Sequence, residues 1–181
     1  MLSFYLAMLE GEGEKEKFTD IYDRYNAKMF SITMSYTGDF HDAEEALQNA
    51  FVSVARHIKD VKIDNEQMLR AFLYRIAKNA ALDIVEKKKR FDFVSLDEDV
   101  NYGTEANALD KIEGDEVISE IIGLISTLSE KIKIVMLLNV VFELPPRKIA
   151  KIIDVKLNTV KSRLATGRKV LAVKIKEVHK V

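Results

Sequence analysis

The chain has 181 residues, 48% hydrophobic and 31% charged, with a formal net charge of −1, a balance that can bury a core and excludes a disordered tail. It holds no cysteine, three histidines, two prolines and seven glycines. That excludes disulfides, zinc–thiolate sites and thiol nucleophiles, and favours helices over turn-rich sheets.

The small net charge conceals a segregation. Residues 1–91 carry 14 basic and 15 acidic side chains, residues 92–116 one lysine and nine acids, and residues 117–181 13 basic and five acidic. A neutral block, an acidic connector and a basic block predict two small helical domains, 1–91 and 117–181, joined by a flexible acidic linker over 92–116. The basic module should face a polyanion. The unbroken apolar runs, such as Ile134–Leu138, are far too short for a membrane span. The apolar opening Met1–Leu9 lacks the preceding basic residues of a signal peptide, so a soluble, cytoplasmic protein is expected.

In chain order, Phe18, Ile21, Tyr22, Tyr25, Met29 and Ile32 recur at spacings of three and four, one face of an amphipathic helix. Gly38-Asp39 breaks it, and Asp39 or Asp42 can cap the next helix, whose inward stripe is Ala43, Ala46, Leu47, Ala50, Phe51, Val54 and Ile58. Residues 59–68 lose periodicity and read as a loop. A long helix resumes at Leu69 with Phe72, Leu73, Ile76, Ala80 and Ile84 inward, and ends in Lys87-Lys88-Lys89-Arg90. Within the linker, a short helical piece is expected near Ala106–Ile112. From Val117 the helical pattern returns. Ser129 can cap a helix over Glu130–Glu143 that is apolar almost all round, as befits the centre of a bundle. Pro145 and Pro146 stop it and restart the chain into a short helix, Arg147–Ile153, a tight turn near Asp154 and a longer helix from Leu157.

Two helices of unequal length joined by about four residues, the second strongly basic, form the pattern of a helix-turn-helix. Ile149, Ala150, Ile153 and Val155 would pack the first helix and turn, and Val160 and Leu164 would anchor the second. The remaining face presents Asn158, Thr159, Lys161, Ser162, Arg163, Thr166, Arg168 and Lys169. Cations there suit phosphates, and the polar and arginine side chains suit base edges. Residues 141–181 hold 11 basic and three acidic side chains, a one-sign field that a merely solvated face does not require.

The helix from Asp42 to Ile58 has a second face. Glu44, Glu45, Gln48, Asn49, Val52 and Arg56 lie together away from the apolar stripe, with Val52 as an exposed apolar anchor for a protein partner. On the later helix, Arg75, Asn79, Asp83 and Glu86 form one polar seam, with Asn79 and Asp83 close enough to the apolar stripe to be partly buried.

The run LSEKIKIVMLLNVVFELPPRKIAKIIDVKLNTVKSRLATGRKVL resembles region 4 of bacterial sigma factors, DAEEALQNAF resembles part of region 2, and LRAFLYRIAKNAALDIVEKKKR the segment that follows it. With no domain between these regions, the chain resembles the extracytoplasmic-function (group IV) sigma factors. The resemblance implies an all-α initiation factor with promoter DNA and core RNA polymerase, through its clamp helices and flap, as partners. It implies a cognate anti-sigma factor, often membrane-bound, and neither a cofactor nor a small-molecule substrate. Glu44, Glu45, Gln48, Asn49 and Val52 would dock on polymerase. Asn65, Arg75, Asn79, Asp83, Lys87, Lys88, Lys89 and Arg90 would meet the −10 element, where a base is flipped from the non-template strand. The helix-turn-helix would read the −35 element. The chain departs from the family pattern at Asn49, where an acid is usual, and at Pro145, Lys148, Asp154 and Lys156, which weaken the helix ends of the helix-turn-helix.

Catalysis finds no converging groups. His41 with Glu44 or Glu45 has metal-compatible spacing but no second helix to complete a site, and His57 and His179 have no such partners. The competing reading is a helix-turn-helix regulator that binds duplex operator as a dimer without polymerase.

Overall fold

Short polar residues and glycine set the helix ends of the first half. The computed structural model describes residues 1–94 and 116–178, which form eight helices with no strand among the described residues. Residues 95–115 of the acidic linker, its expected helical piece and His179 lie outside them, while residues 92–94 belong to the end of α4 and Glu116 to the start of α5, so the helices run further into the expected linker than its acidic composition implied.

Helix α1 (Leu2–Leu6), which periodicity did not reveal, buries Tyr5 against Phe18 and Phe51, with ring centroids 5.5 and 5.8 Å away. Five residues are too few for a period to show. Helix α2 (Glu12–Thr37) begins with Glu12 and Glu14 in its first turn, where the helix dipole favours acids. It stops at Gly38, whose φ of 71° is left-handed and whose N–H bonds to the Met34 carbonyl. Helix α3 (Phe40–Arg56) is capped by Asp39, which accepts the Asp42 N–H at 2.9 Å. Helix α4 (Glu66–Val94) starts three residues before the expected Leu69 because Asn65 caps it, accepting the Met68 N–H at 3.1 Å.

The buried line of α4 is Leu69, Leu73, Tyr74, Ala77, Ala81 and Ile84, while Phe72, Ile76 and Ala80 are only partly covered. The two sets share Leu69, Leu73 and Ile84, and the buried line is rotated from the expected stripe by less than one residue step of about 100° on a helix of 3.6 residues per turn. Small alanines at the centre line let α2 and α3 approach closely and push the bulky residues to the flanks. The same holds on α3, where Ala43, Ala46 and Ala50 are buried and Leu47 is half-buried.

Five successive residues of α2, Ser31–Ser35, are all buried, which no helix packed on one side can achieve. Helices α3 and α4 flank α2, and α5 (Glu116–Ser126) also packs on it. The buried hydroxyls of Ser31, Thr33 and Ser35 donate to carbonyls of their own helix, at Ala27, Phe30 and Ile32.

In the second half, α6 (Glu130–Val140) begins at Ser129, whose side chain makes no capping bond, and buries Val135–Leu138 in succession. It ends three residues before the expected Glu143. Glu143 adopts a left-handed φ of 54°, Leu144 donates to the Leu138 carbonyl at 3.0 Å, and Phe142 turns inward. Helix α7 (Pro146–Ile152) has Pro145 at its N-cap and Pro146 at its first position. Helix α8 (Leu157–Val178) crosses α6 at Gly167, where an added Cβ would sit 2.7 Å from Met136 Sδ and 3.0 Å from Ile132 Cγ2. A glycine inside an otherwise regular basic helix is the sequence mark of such a close approach.

The two halves share one apolar cluster. Its junction is Phe142, fully buried, stacked on Tyr25 at 6.1 Å and edge-on to Tyr74 at 6.3 Å. Around it, Arg70 Nη1 donates to the Phe142 carbonyl at 2.9 Å, Lys28 pairs with Glu143 at 2.8 Å, and Lys78 pairs with Glu130 at 2.5 Å. No described helix is long and apolar enough to cross a membrane.

Candidate nucleic-acid interface

The turn between α7 and α8 closes by hydrogen bonding. Asp154 takes a left-handed φ of 50°, and Val155 donates to the Ala150 carbonyl at 3.0 Å, the 6→1 bond of a Schellman end. Asp tolerates this conformation better than most residues with a side chain, which is why the departure from glycine leaves the turn intact. The Lys156 ammonium has no acceptor with which to cap α8, yet its carbonyl accepts the Thr159 and Val160 N–H groups. Val160 and Leu164 are buried as expected, and they fix which way the rest of the helix faces.

Asn158, Lys161, Ser162, Thr166, Arg168 and Lys169 are exposed, and Thr159 and Arg163 are half-exposed. The eight residues therefore form one outward face. Arg168 has an internal contact as well, donating to Asn139 Oδ1 at 3.1 Å, while Asn139 Nδ2 donates to the Leu144 carbonyl at 3.0 Å.

On α4, Arg75, Asn79, Asp83 and Glu86 are all exposed along one line. Asn79 and Asp83 are thus not the partly buried pair expected, because the rotation of the helix carries them outward. Lys87, Lys88, Lys89 and Arg90 are exposed too. Lys88 pairs with Asp42 at 2.8 Å and Arg90 with Glu86 at 3.6 Å. Asn65 is exposed and uses its carbonyl oxygen as the α4 cap, which leaves its amide N–H₂ facing outward.

A cleft of about 1050 Å³ lies between the start of α4 and α7. Asn65, Arg75 and Asn79 line one wall, and Lys148, Lys151 and Ile152 the other. Val61, Leu69, Phe72 and Ile134 make its surface apolar, and Lys62 and Lys78 add to the basic groups. Lys148 and Lys151 stood outside the sequence-based site because only the tertiary fold brings α7 opposite α4; Lys62 and Lys78, three residues from Asn65 and Arg75, were in reach of local reading and were not singled out.

On α3, Glu45, Asn49 and Arg56 are exposed, and Glu44 and Gln48 half-exposed. Val52 is half-buried against the core and is not the exposed anchor expected; the neighbouring helices reach further round α3 than its own periodicity implies. Glu44 and Gln48 border a small groove with Met1, Tyr5 and Tyr22.

Two polar networks stiffen the walls. Glu66 accepts from Tyr25, Arg24 and Arg70. The Tyr25 hydroxyl and the two guanidiniums hold its carboxyl below the usual range, while burial pushes the Tyr25 hydroxyl up. Tyr36 bonds to Tyr74 at 3.0 Å and to Glu130 at 3.2 Å. Burial raises both tyrosines well above their ordinary value, so both hydroxyls remain donors. Burial lowers Lys133, which donates to the Ser35 carbonyl and lies over the Tyr36 ring.

Residues 21–91 match the Sigma-70 region 2 family and residues 118–171 the Sigma-70 region 4 family. The chain is 30% identical over 179 residues to the ECF RNA polymerase sigma factor SigW of Bacillus subtilis (strain 168), covering 92% of this chain and 93% of that one. The chain belongs to the ECF RNA polymerase sigma factors. It is also 27% identical to the ECF RNA polymerase sigma-E factor of Haemophilus influenzae, covering 91% of this chain and 90% of that one. In fold, this sigma factor is similar to CnrH in complex with the cytosolic domain of CnrY, with TM-score 0.60, 15% identity and 97% and 95% of the two chains covered. It is likewise similar to RpoE in complex with the anti-sigma factor NepR from Bartonella quintana, with TM-score 0.63, 16% identity and 88% and 96% covered. A promoter-specific initiation factor accounts for both matched regions. A dimeric operator-binding regulator leaves the region 2 match unexplained.

Proposed function

We propose that this sigma factor divides its work among three surfaces. Residues 1–91 bind core RNA polymerase and open the −10 element, residues 117–181 read the −35 element, and residues 92–116 connect them. The observation that carries the reading is the outward face of α8 over residues 158–169, basic and polar apart from Ala165 and set at a fixed angle by the buried Val160 and Leu164. Its lysines and arginines suit phosphates, and Asn158, Ser162 and Arg163 suit base edges. Glu44, Glu45, Gln48, Asn49 and Val52 form the polymerase-docking side of α3, clear of the DNA-facing groups. Arg75, Asn79 and the Asn65 amide face the non-template strand, with Lys87–Arg90 on flanking phosphates. An extruded base is favoured by apolar surface for its face and polar groups for its edge. Asp83 lies along the same line and contributes a hydrogen-bond acceptor.

The site works by positioning and charge, without a catalytic step, cofactor or metal, and the protein acts in the cytoplasm. The two structural neighbours were each solved with a partner, one of them named as an anti-sigma factor. This supports an anti-sigma partner for the present chain, which would hold it at the membrane if that partner is anchored there.

The deciding experiment mixes the purified chain with core polymerase from its own bacterium and measures co-elution, then retention of promoter fragments. Changing the exposed Glu45 and Asn49 together should abolish co-elution without unfolding the protein. In the assembled holoenzyme, Lys161→Ala should weaken promoter binding and reduce the slope of log affinity against log salt by about 1, as expected of a phosphate contact, whereas Arg163→Ala should relax sequence preference in the −35 element. Operator binding by the chain alone, with no affinity for core, would overturn the reading.

A further inference from the structure

Arg168 belongs to the exposed face of α8 and also bonds to another helix. Its Nη2 donates to Asn139 Oδ1 at 3.1 Å, and Asn139 Nδ2 donates to the Leu144 carbonyl at 3.0 Å. We propose that Asn139 is a positioning residue for promoter binding: it holds the Arg168 guanidinium ready for a phosphate of the −35 duplex. The inference rests on the assignment, made above, of α8 to the −35 element.

Three observations carry it. The first is register. At about 100° and 1.5 Å per residue, Arg168 lies about 20° and roughly 10 Å from Lys161, so the two cations share one flank of α8. The centre of the outward face, opposite the buried Val160 and Leu164, is taken by the exposed Asn158, Ser162 and Lys169. Side chains at the centre of such a face reach base edges, and cations on its flank meet the sugar–phosphate backbone.

The second is a fixed acceptor. Asn139 stands half-buried in the last turn of α6. The carbonyl of the buried Leu144 takes its amide N–H, which turns Oδ1 toward Arg168. A flipped amide would set oxygen against carbonyl and N–H₂ against guanidinium, losing both bonds. The third is the backbone beneath. Gly167 brings α8 so close to α6 that an added Cβ would sit 2.7 Å from Met136 Sδ. Met136 lies three residues before Asn139, and Gly167 directly precedes Arg168, so donor and acceptor spring from helices already in contact.

The chemistry suits a phosphate. Arginine carries five N–H donors in one plane, and with one Nη2 N–H on Asn139 the Nε and Nη1 groups remain for phosphate oxygens. An amide acceptor holds the guanidinium without neutralising it, which a carboxylate would not do. Fixing so long a side chain beforehand lessens the rotamer freedom that binding removes.

The test is a double-mutant cycle in the assembled holoenzyme, on a promoter fragment that the parent holoenzyme retains from its own genomic DNA. We expect Asn139→Ala to weaken binding at low salt by roughly three- to tenfold, the worth of one hydrogen bond. Arg168→Ala should weaken it at least as much and reduce the slope of log affinity against log salt by about 1. The double variant should bind no worse than Arg168→Ala alone, because Asn139 acts only through the guanidinium. Asn139→Ser replaces Asn139→Ala in the cycle if the alanine variant does not melt cooperatively. Losses that multiply in the double variant, parent-like binding by the Asn139 variant, or an unchanged salt slope in Arg168→Ala overturn the positioning role. The slope decides against a merely structural tie between α6 and α8, which would weaken binding without removing a phosphate contact. Weakened binding by Lys161→Ala in the same series leaves the initiation reading intact in each of those cases. If neither Lys161→Ala nor Arg168→Ala alters promoter binding, α8 does not read the −35 element, and the positioning role falls with that assignment.

Discussion

Two residues of the second half hold left-handed backbone without being glycine, and they do so under different conditions. Asp154 (φ 50°) ends α7 at an exposed position, whereas Glu143 (φ 54°) is tied to Lys28 at 2.8 Å. Asp154→Gly should raise stability by about 0.5–1 kcal/mol, since glycine adopts this region without steric cost. Glu143→Gly should gain less, because it gives up the ion pair along with the strain. Urea denaturation of the two variants checks the contrast. Glu66 supplies a prediction in pH. Its carboxyl is held below the ordinary value near 4.5, first by the Tyr25 hydroxyl and then by Arg24 and Arg70. A lowered folded value means that its contribution to stability is complete above the unfolded value and is lost as pH falls through the folded one. Glu66→Gln should therefore melt at lower temperature than the parent at pH 6–7, and the gap should close as the pH drops below about 4. A gap independent of pH would show that the charge is irrelevant.

At the scale of the element, α4 carries two roles that meet at one residue. Asn65 caps the helix through its side-chain oxygen and is assigned to a base edge through its amide. The two roles separate by substitution. Asn65→Ala should cost about 1 kcal/mol of stability. Asn65→Asp keeps the cap oxygen and the favourable dipole interaction, so it should melt like the parent while promoter opening falls. Thermal melts and permanganate footprinting of the −10 region check both halves of this expectation. The rotation of α4 shows why such roles are hard to place beforehand. Periodicity reports which residues are apolar, but the alanines at positions 77 and 81 let the neighbouring helices sit close to the backbone. The line of closest approach, and not the bulkiest side chains, then decides which polar residues face out. Asn79 and Asp83 became exposed for that reason, and Val52 on α3 became half-buried.

Across the whole molecule, the charges at the seam where Phe142 joins the two halves should behave as a coupled pair. K28E and E143K each place like charges together and should loosen that contact, while the charge-swapped double variant should recover part of it. Recovery should be incomplete, because Arg70 also acts on Glu143 and would repel the new lysine. A coupling of about 0.3–1 kcal/mol is expected for so exposed a pair. Small-angle scattering of the four proteins at low and high salt would measure it, with salt compressing the differences. By itself, the sequence determined what depends on near neighbours: helical composition, the breaks at Gly38-Asp39 and Pro145–Pro146, the charge segregation, and the buried Val160 and Leu164 that orient α8. Those features follow from spacing and from backbone hydrogen bonding within a few residues. Only the tertiary structure decided where α4 turns its polar line, why Gly167 must lack a side chain, and that Phe142 enters the other half of the chain between Tyr25 and Tyr74. Residues more than 50 positions apart meet at that seam, and no local period encodes their meeting; it is set by the volume that α2 and α4 leave open and by the aromatic ring of Phe142 that fills it.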